Sequence, residues 1–152
     1  MIHRKHFLIW SPRINLMGAD LLYKDTTDKI IKCFYDVYNE LGYGFLEAVY
    51  ENAMCIVLRQ AGLEVNQQKE LKVKFRNTIV GDYRTDIIVD DKIILELKSA
   101  KAIASEHEAQ LLHYLKATGM ELGMILNFGK TPQFKRYINS NHPRQSAKIG
   151  GN

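Results

Sequence analysis

Residues 82–98 read Asp82-Tyr83-Arg84-Thr85-Asp86-Ile87-Ile88-Val89-Asp90-Asp91-Lys92-Ile93-Ile94-Leu95-Glu96-Leu97-Lys98. Two apolar runs flank a polar Asp-Asp-Lys turn, the pattern of a β-hairpin. Side chains alternate along a strand, so Glu96 and Lys98 share a face with Ile94, while Ile93, Leu95 and Leu97 take the other. Asp86 is an acid in a strand interior, where Asp is depleted. Register decides whether these groups meet. A two-residue turn opposes Asp86 to Leu95 and sends its side chain to the wrong face. A three-residue turn over Asp90, Asp91 and Lys92 pairs Val89 with Ile93, and therefore Asp86 with Glu96. In that register Arg84, Asp86, Glu96 and Lys98 converge, and a slip of one residue abolishes the group. The competing reading makes each of them a solvated edge position or half of a weak surface ion pair.

On the N-terminal side, Leu71, Val73 and Phe75 alternate with Lys72, Lys74 and Arg76. This predicts a half-buried strand with its cations on one face. Further back, Ile30, Phe34, Val37 and Leu41 recur at helical spacing, with Asp25 as cap and Asp28 in the first turn. Gly42 and Gly44 close that helix. A second helix is expected over residues 45–60, with Tyr50, Met54, Val57 and Ala61 as its buried stripe. Glu47 falls on the same stripe, which aims a carboxylate toward the sheet. A first-turn acid favoured by the helix dipole is the alternative.

On the C-terminal side, Ser105-Glu106-His107-Glu108 reads as a capping box that opens a helix ending near Gly119. Gln110 and Tyr114, with His107, form a polar strip beside Leu111, Leu112 and Leu115. Met124-Ile125-Leu126 lies in a buried strand, and residues 134–138 offer another. Helix, helix, strands, helix, strand is the order of an α/β fold with a mixed sheet.

A chain of 152 residues, 46% hydrophobic and 25% charged, suits one folded domain and excludes a disordered protein. No apolar run reaches the length of a membrane helix, and Phe7-Leu8-Ile9-Trp10 is too short for a secretory signal. Two cysteines, Cys33 and Cys55, exclude a disulfide framework and a four-cysteine zinc site. They read as reduced, buried thiols of a cytoplasmic protein. The net charge is +4, but Arg4, Lys5, Arg13, Arg144 and Lys148 sit in acid-free ends and outweigh it. The body is nearly neutral, so any affinity for a polyanion must come from local placement. Residues 1–19 read as an N-terminal extension, with Met17 an alternative start, residues 20–140 as a single domain and residues 141–152 as a loose tail.

Carboxylate oxygens suit Mg²⁺ or Mn²⁺, and no Cys/His set suits zinc. Such an ion polarises a phosphoryl oxygen and lowers the pKa of bound water. Lys98 beside it can orient that water or neutralise developing charge. The expected chemistry is phosphodiester hydrolysis, with Lys72, Lys74, Arg76 and Arg84 tracking a phosphate backbone. An ordinary wet strand face is the alternative for those cations.

Gly44-Phe45-Leu46-Glu47-Ala48-Val49-Tyr50 resembles the signature of the GxxExxY protein family, within the PD-(D/E)XK nuclease superfamily. The likeness continues through Gly81-Asp82-Tyr83-Arg84-Thr85-Asp86, Ile94-Leu95-Glu96-Leu97-Lys98, Ala109-Gln110-Leu111-Leu112-His113-Tyr114-Leu115 and Leu122-Gly123-Met124-Ile125-Leu126-Asn127-Phe128-Gly129. It implies a restriction-endonuclease-like core, a mixed central sheet flanked by helices in αβββαβ order, with an extra N-terminal helix. It implies Asp86 and Glu96 as metal-binding acids, the Leu97 carbonyl as a further ligand, and Lys98 as the catalytic lysine. Glu47 matches the helical acid that precedes the core strands. Gln110 and Tyr114 resemble the Q-x-x-x-Y motif of RecB-like nucleases, which supports the site or contacts DNA. One departure stands out: Thr85 occupies the place of a proline before the first acid. The function so implied is metal-dependent hydrolysis of DNA, in repair, recombination or defence. A non-catalytic nucleic-acid-binding accessory protein and an oligomeric module, a homodimer included, are the alternatives.

Overall fold

The computed structural model describes residues 22–139. The expectations for residues 1–19, Met17 and 141–152 lie outside them. Ile30, Cys33, Phe34 and Val37 are buried at spacings of three and four, and the helix that carries them, α1, runs Lys24–Leu41. Gly42, at a left-handed φ of 69°, ends it, its N–H donating to the Tyr38 carbonyl. Asp25 is not the cap: Tyr23 stands there without a side-chain cap bond, and Asp25 occupies the first turn, where the dipole favours an acid anyway. Helix α2 spans Glu47–Gln60 and buries Tyr50, Glu51, Met54, Cys55 and Leu58. Val57 and Ala61 are only half-buried. The buried stripe is broader and rotated because α2 touches both α1 and the sheet. Cys33 Sγ–H donates to the Val57 carbonyl across the helix pair.

The strands are β1 (Val65–Phe75), β2 (Thr78–Val89), β3 (Ile93–Lys98), β4 (Leu122–Phe128) and β5 (Pro132–Ile138), with α3 (Ser105–Thr118) between β3 and β4. They form one sheet in the order β1-β2-β3-β4-β5. Only β3 and β4 are parallel, joined by the α3 crossover. The other neighbours are antiparallel. This is the predicted mixed sheet, in αβββαβ order with α1 added in front and β5 behind. The cap of α3 differs from the expected box. Ala104 stands at the cap position, Ser105 is already helical, and His107 Nδ1 accepts the Ala104 N–H at 3.0 Å. A histidine at the third helical position replaces the expected Glu108.

Helices α1 and α2 cover one face of the sheet, where Ile30, Phe34, Tyr50 and Met54 meet Ile87, Ile93, Leu95 and Leu97. Helix α3 covers the other, where Leu111, Tyr114 and Leu115 meet Ile88, Ile94 and Ile125. Strands β3 and β4 are therefore buried on both faces, as a parallel pair in mid-sheet requires. Each fully buried Leu, Ile or Phe there contributes about 1.5–3 kcal/mol. Cys33 and Cys55 are free and buried, and burial pushes both thiols up, Cys55 to about 11. No described helix is long and apolar enough to cross a membrane.

Past the end of β3, the fully buried Asn127 acts as an extra rung. Its Oδ1 accepts the Ala100 N–H at 2.9 Å, and its Nδ2 donates to the Ala100 carbonyl at 3.0 Å. Gly129 closes against the same residue, since a Cβ there would lie 2.4 Å from the Ala100 oxygen. Asn127→Ala would leave both Ala100 groups unpaired, a loss of about 2 kcal/mol. Thermal denaturation should show a Tm lower by several degrees; an unchanged Tm would mean that this rung does not hold the strand ends.

Candidate functional site

The β2–β3 ladder contains the pairs Val89↔Ile93, Ile88↔Ile94 and Ile87↔Leu95, the register of the three-residue turn. At the next level side chains take over from the main chain. Leu97 N–H donates to Asp86 Oδ2 at 2.8 Å, and Asp86 N–H donates to Glu96 Oε1 at 3.3 Å. Strand β1 is irregular at the same level. Gln67 pairs with Ile87 and Lys69 with Thr85, while Gln68 between them adopts a left-handed φ of 55°. Side-chain alternation reverses there: Val65 packs with the α1–α2 core, Leu71 with the α3 core, although both are odd-numbered. Strand β2 reverses too, since Val89 lies in the first core and Tyr83 packs on His113 and Tyr114 of α3. The sheet is thus kinked at the level of the two acids without a shift of register, one residue on each strand, Gln68 and Asp86, standing between the flanking pairs.

Lys98, two residues beyond Glu96, is held from α3. Its Nζ donates to Gln110 Oε1 at 3.0 Å, and Gln110 Nε2 donates to the Tyr114 hydroxyl at 3.0 Å. The four-residue spacing of Gln110 and Tyr114 lets both reach the same strand end. His107, the third member of the expected strip, is occupied at the helix cap instead. Thr85, in the place of the expected proline, is fully buried, and its hydroxyl has no hydrogen-bond partner among the described residues.

Glu47 takes the second of its two expected places, that of an acid in the first turn of α2. It is the first residue of α2 and exposed, with Oε2 accepting the Ser99 N–H at 3.4 Å just past β3. It reaches the strand end that carries Lys98 but makes no hydrogen bond with Asp86 or Glu96. The acid that α2 does bury is Glu51, 8% exposed, which the sequence reading missed. Its carboxylate accepts Gln67 Nε2 at 2.6 Å and Gln68 Nε2 at 2.8 and 3.0 Å. The kinked Gln68 is therefore tied to α2 by its side chain. The signal for Glu51 was its place directly after Tyr50 and one turn after Glu47.

Tyr50 itself is fully buried and stacks on Phe128, with ring centroids 4.3 Å apart. Its hydroxyl donates to the Gly42 carbonyl at 2.7 Å and accepts the Phe45 N–H at 3.2 Å. Gly44, at φ 108°, supplies a backbone conformation that other residues resist. The Gly44–Glu47–Tyr50 spacing is thus a pinned turn that delivers Glu47 to the end of the sheet.

The expected row of cations is not formed. Lys72 pairs with Asp82 at 2.9 Å and Arg84 with Glu70 at 2.8 Å. Arg76 lies in the β1–β2 turn, not on the strand, with its guanidinium over the Phe75 ring. Lys74 is exposed.

Burial pushes the Asp86 carboxyl up against the pull of the Leu97 amide, and the Glu51 and Glu47 carboxylates add to the rise while Lys98 opposes it. Burial drives Glu96, 2% exposed, up to about 9, with the Asp86 carboxylate adding to the push. Two crowded acids with raised pKa values are a donor set that gains from a hard divalent cation. Two carboxylates, with the Leu97 carbonyl that the resemblance adds, would be a donor set of the kind Mg²⁺ accepts. Among the described residues no three His, Cys, Asp or Glu side chains form a ready cage. Without metal, both folded and unfolded Glu96 are protonated below its ordinary 4.5; from there to about 9 only the folded chain keeps the proton. Stability should therefore fall as pH rises through that window. Glu96→Gln should raise the Tm of metal-free protein at pH 8.5 and leave it nearly unchanged at pH 5. An equal effect at both pH values would contradict a neutral buried Glu96.

A family model for the PD-(D/E)XK nuclease superfamily matches residues 24–138, nearly all of the described chain. No curated protein matches the sequence. Among solved structures, SSO0001 is 18% identical, with a TM-score of 0.47 over 68% of this chain and 54% of its own. An alkaline exonuclease (LHK-Exo) from Laribacter hongkongensis is 16% identical, with a TM-score of 0.46 over 68% of this chain and 59% of its own. The chain thus spans little more than half the length of either. The family match runs from α1 through β5 and takes in every element that builds the kinked sheet level, and on it the chain belongs to the PD-(D/E)XK nuclease superfamily.

Proposed function

We propose that the chain is a GxxExxY-type nuclease that hydrolyses phosphodiester bonds of DNA with Mg²⁺ or Mn²⁺. Nucleases of the superfamily generally use divalent metal ions. The observation that carries the reading is the substitution in the β2–β3 ladder, where Asp86 and Glu96 replace main-chain pairing with Lys98 close behind. Asp86, Glu96 and the Leu97 carbonyl would hold the cation. When bound, it supplies Lewis acidity toward a phosphoryl oxygen and a more acidic water. Lys98 serves as the fixed positive charge for the phosphate as negative charge builds on its oxygens. Gln110 and Tyr114 hold that ammonium in place, so they act through Lys98 as positioning residues. Glu47, at the strand end, faces the same region from α2.

A second reading, a nucleic-acid-binding protein without catalysis, draws on Glu47, which is exposed and bonds the Ser99 N–H and makes no hydrogen bond with Asp86 or Glu96. One assay separates the two. Purified protein is incubated with linear, nicked and single-stranded DNA in Mg²⁺, Mn²⁺ or EDTA. Cleavage should require metal and fall at least a hundredfold in Asp86→Asn, Glu96→Gln and Lys98→Ala. Cleavage that persists in Lys98→Ala would refute the mechanism. Binding without cleavage under any metal would favour the second reading.

A further inference from the structure

The turn that delivers Glu47 carries side chains that the hydrolytic site does not use. Tyr43 is 56% exposed and Leu46 80%, and Phe45 and Val49 beside them are also exposed. Leu46 and Val49 close one backbone turn, the Val49 N–H donating to the Leu46 carbonyl at 3.0 Å. Clustered apolar groups on a surface mark a binding site more often than isolated ones do. Here the turn beneath them is also pinned, because the Tyr50 hydroxyl grips Gly42 and Phe45 on both sides of it, and the Phe45 ring stands edge-on to Tyr50. A rigid aromatic surface loses little entropy when a flat ligand stacks on it.

Two exposed lysines lie on segments hydrogen-bonded to the elements on either side of this turn. Lys130 is brought in by the Tyr38 hydroxyl, which donates to its carbonyl at 2.7 Å one helical turn before Gly42. Lys101 follows Ala100, which touches Gly129, and Ser99, whose N–H reaches Glu47. Neither lysine forms an ion pair with another described residue, in contrast to Lys72 and Arg84. The flat rings thus sit on a turn whose neighbouring segments carry the two lysines and the end of β3.

We propose that Tyr43, Phe45, Leu46 and Val49, flanked by Lys101 and Lys130, form a stacking platform for the unpaired bases of a single-stranded end. This deepens the hydrolytic reading and rests on it for the identity of the substrate. Bases stack on aromatic side chains whatever their sequence, and a few cations suffice to follow one backbone. A duplex hides its base faces and needs a longer row of cations, which β1 and β2 do not leave free.

The test uses a labelled oligonucleotide with a terminal 2-aminopurine, single-stranded or as a blunt duplex, and full-length protein in EDTA. Fluorescence anisotropy should show the single strand bound at least tenfold more tightly than the duplex, with quenching of the 2-aminopurine. Tyr43→Ala and Phe45→Ala should each weaken single-strand binding about tenfold and abolish the quenching, with duplex binding unchanged and Tm near wild type. Phe45→Trp should retain both. Undiminished binding in both alanine variants, or an equal loss on single strand and duplex, would overturn the platform. So would a dimer in sedimentation that Leu46→Ser dissolves while oligonucleotide binding stays intact, since the patch would then serve a second copy of the chain. Stacking without metal-dependent cleavage would sustain the platform and remove the hydrolytic reading; cleavage without stacking would do the reverse.

Discussion

Beyond Ile87↔Leu95, the carboxylates of Asp86 and Glu96 take the places where main-chain groups would have paired. Their oxygens occupy the sheet itself instead of standing above it. Burying acids in this way is unfavourable unless each oxygen finds a donor. The Leu97 and Asp86 amides provide two donors, and the rise in both carboxyl pKa values shows that they compensate only in part. The central strands tolerate this because Ile93, Ile94, Leu95 and Leu97 of β3 and Leu122, Met124, Ile125 and Leu126 of β4 are apolar and buried.

Tyr50 joins the packing of the fold to the shape of the site. Its ring belongs to the α1–α2 core and stacks on Phe128, and its hydroxyl sets the turn before α2. A single side chain therefore carries both the apolar contact that seats the helix pair and the polar contacts that shape its approach. Glu51, the next residue, turns toward β1 and holds Gln67 and Gln68. Neighbouring positions on one helix thus support the site from two directions.

Much of this was legible from residue spacing. The sequence allowed two registers for the hairpin, and the one that opposes Asp86 to Glu96, with the three-residue turn Asp90-Asp91-Lys92, is the one the ladder adopts, because hairpin register follows loop length. Gln110 and Tyr114 were legible as one helical repeat. The ion pairs of Lys72 and Arg84 were not. A simple turn at Arg76-Asn77 would oppose Lys72 to Gly81; a register shift at Val73/Lys74 brings Asp82 opposite instead. Such a shift leaves no mark in the alternation of residue types. Glu51 escaped because an acid beside the apolar stripe of a helix looks like a solvated charge until its partners are known. Those partners lie on β1, one of them in a left-handed conformation unusual for a glutamine. For Glu47 the spacing left an inward carboxylate and a first-turn acid equally open, since it gives a direction around the helix axis and not where the helix begins relative to the sheet.

The early end of the β2–β3 ladder has a consequence away from the chemistry. From Thr78 to Thr85, β2 runs on with β1 as its only strand neighbour among the described residues. That stretch is an open border at which a foreign strand could attach and begin aggregation. Asp82 and Arg84 are spaced along it, each engaged by a residue of β1, and the irregularity beside Val73 disturbs the straight backbone that an incoming strand would need. The charges that these ion pairs set along the open edge guard the ribbon against uncontrolled self-association.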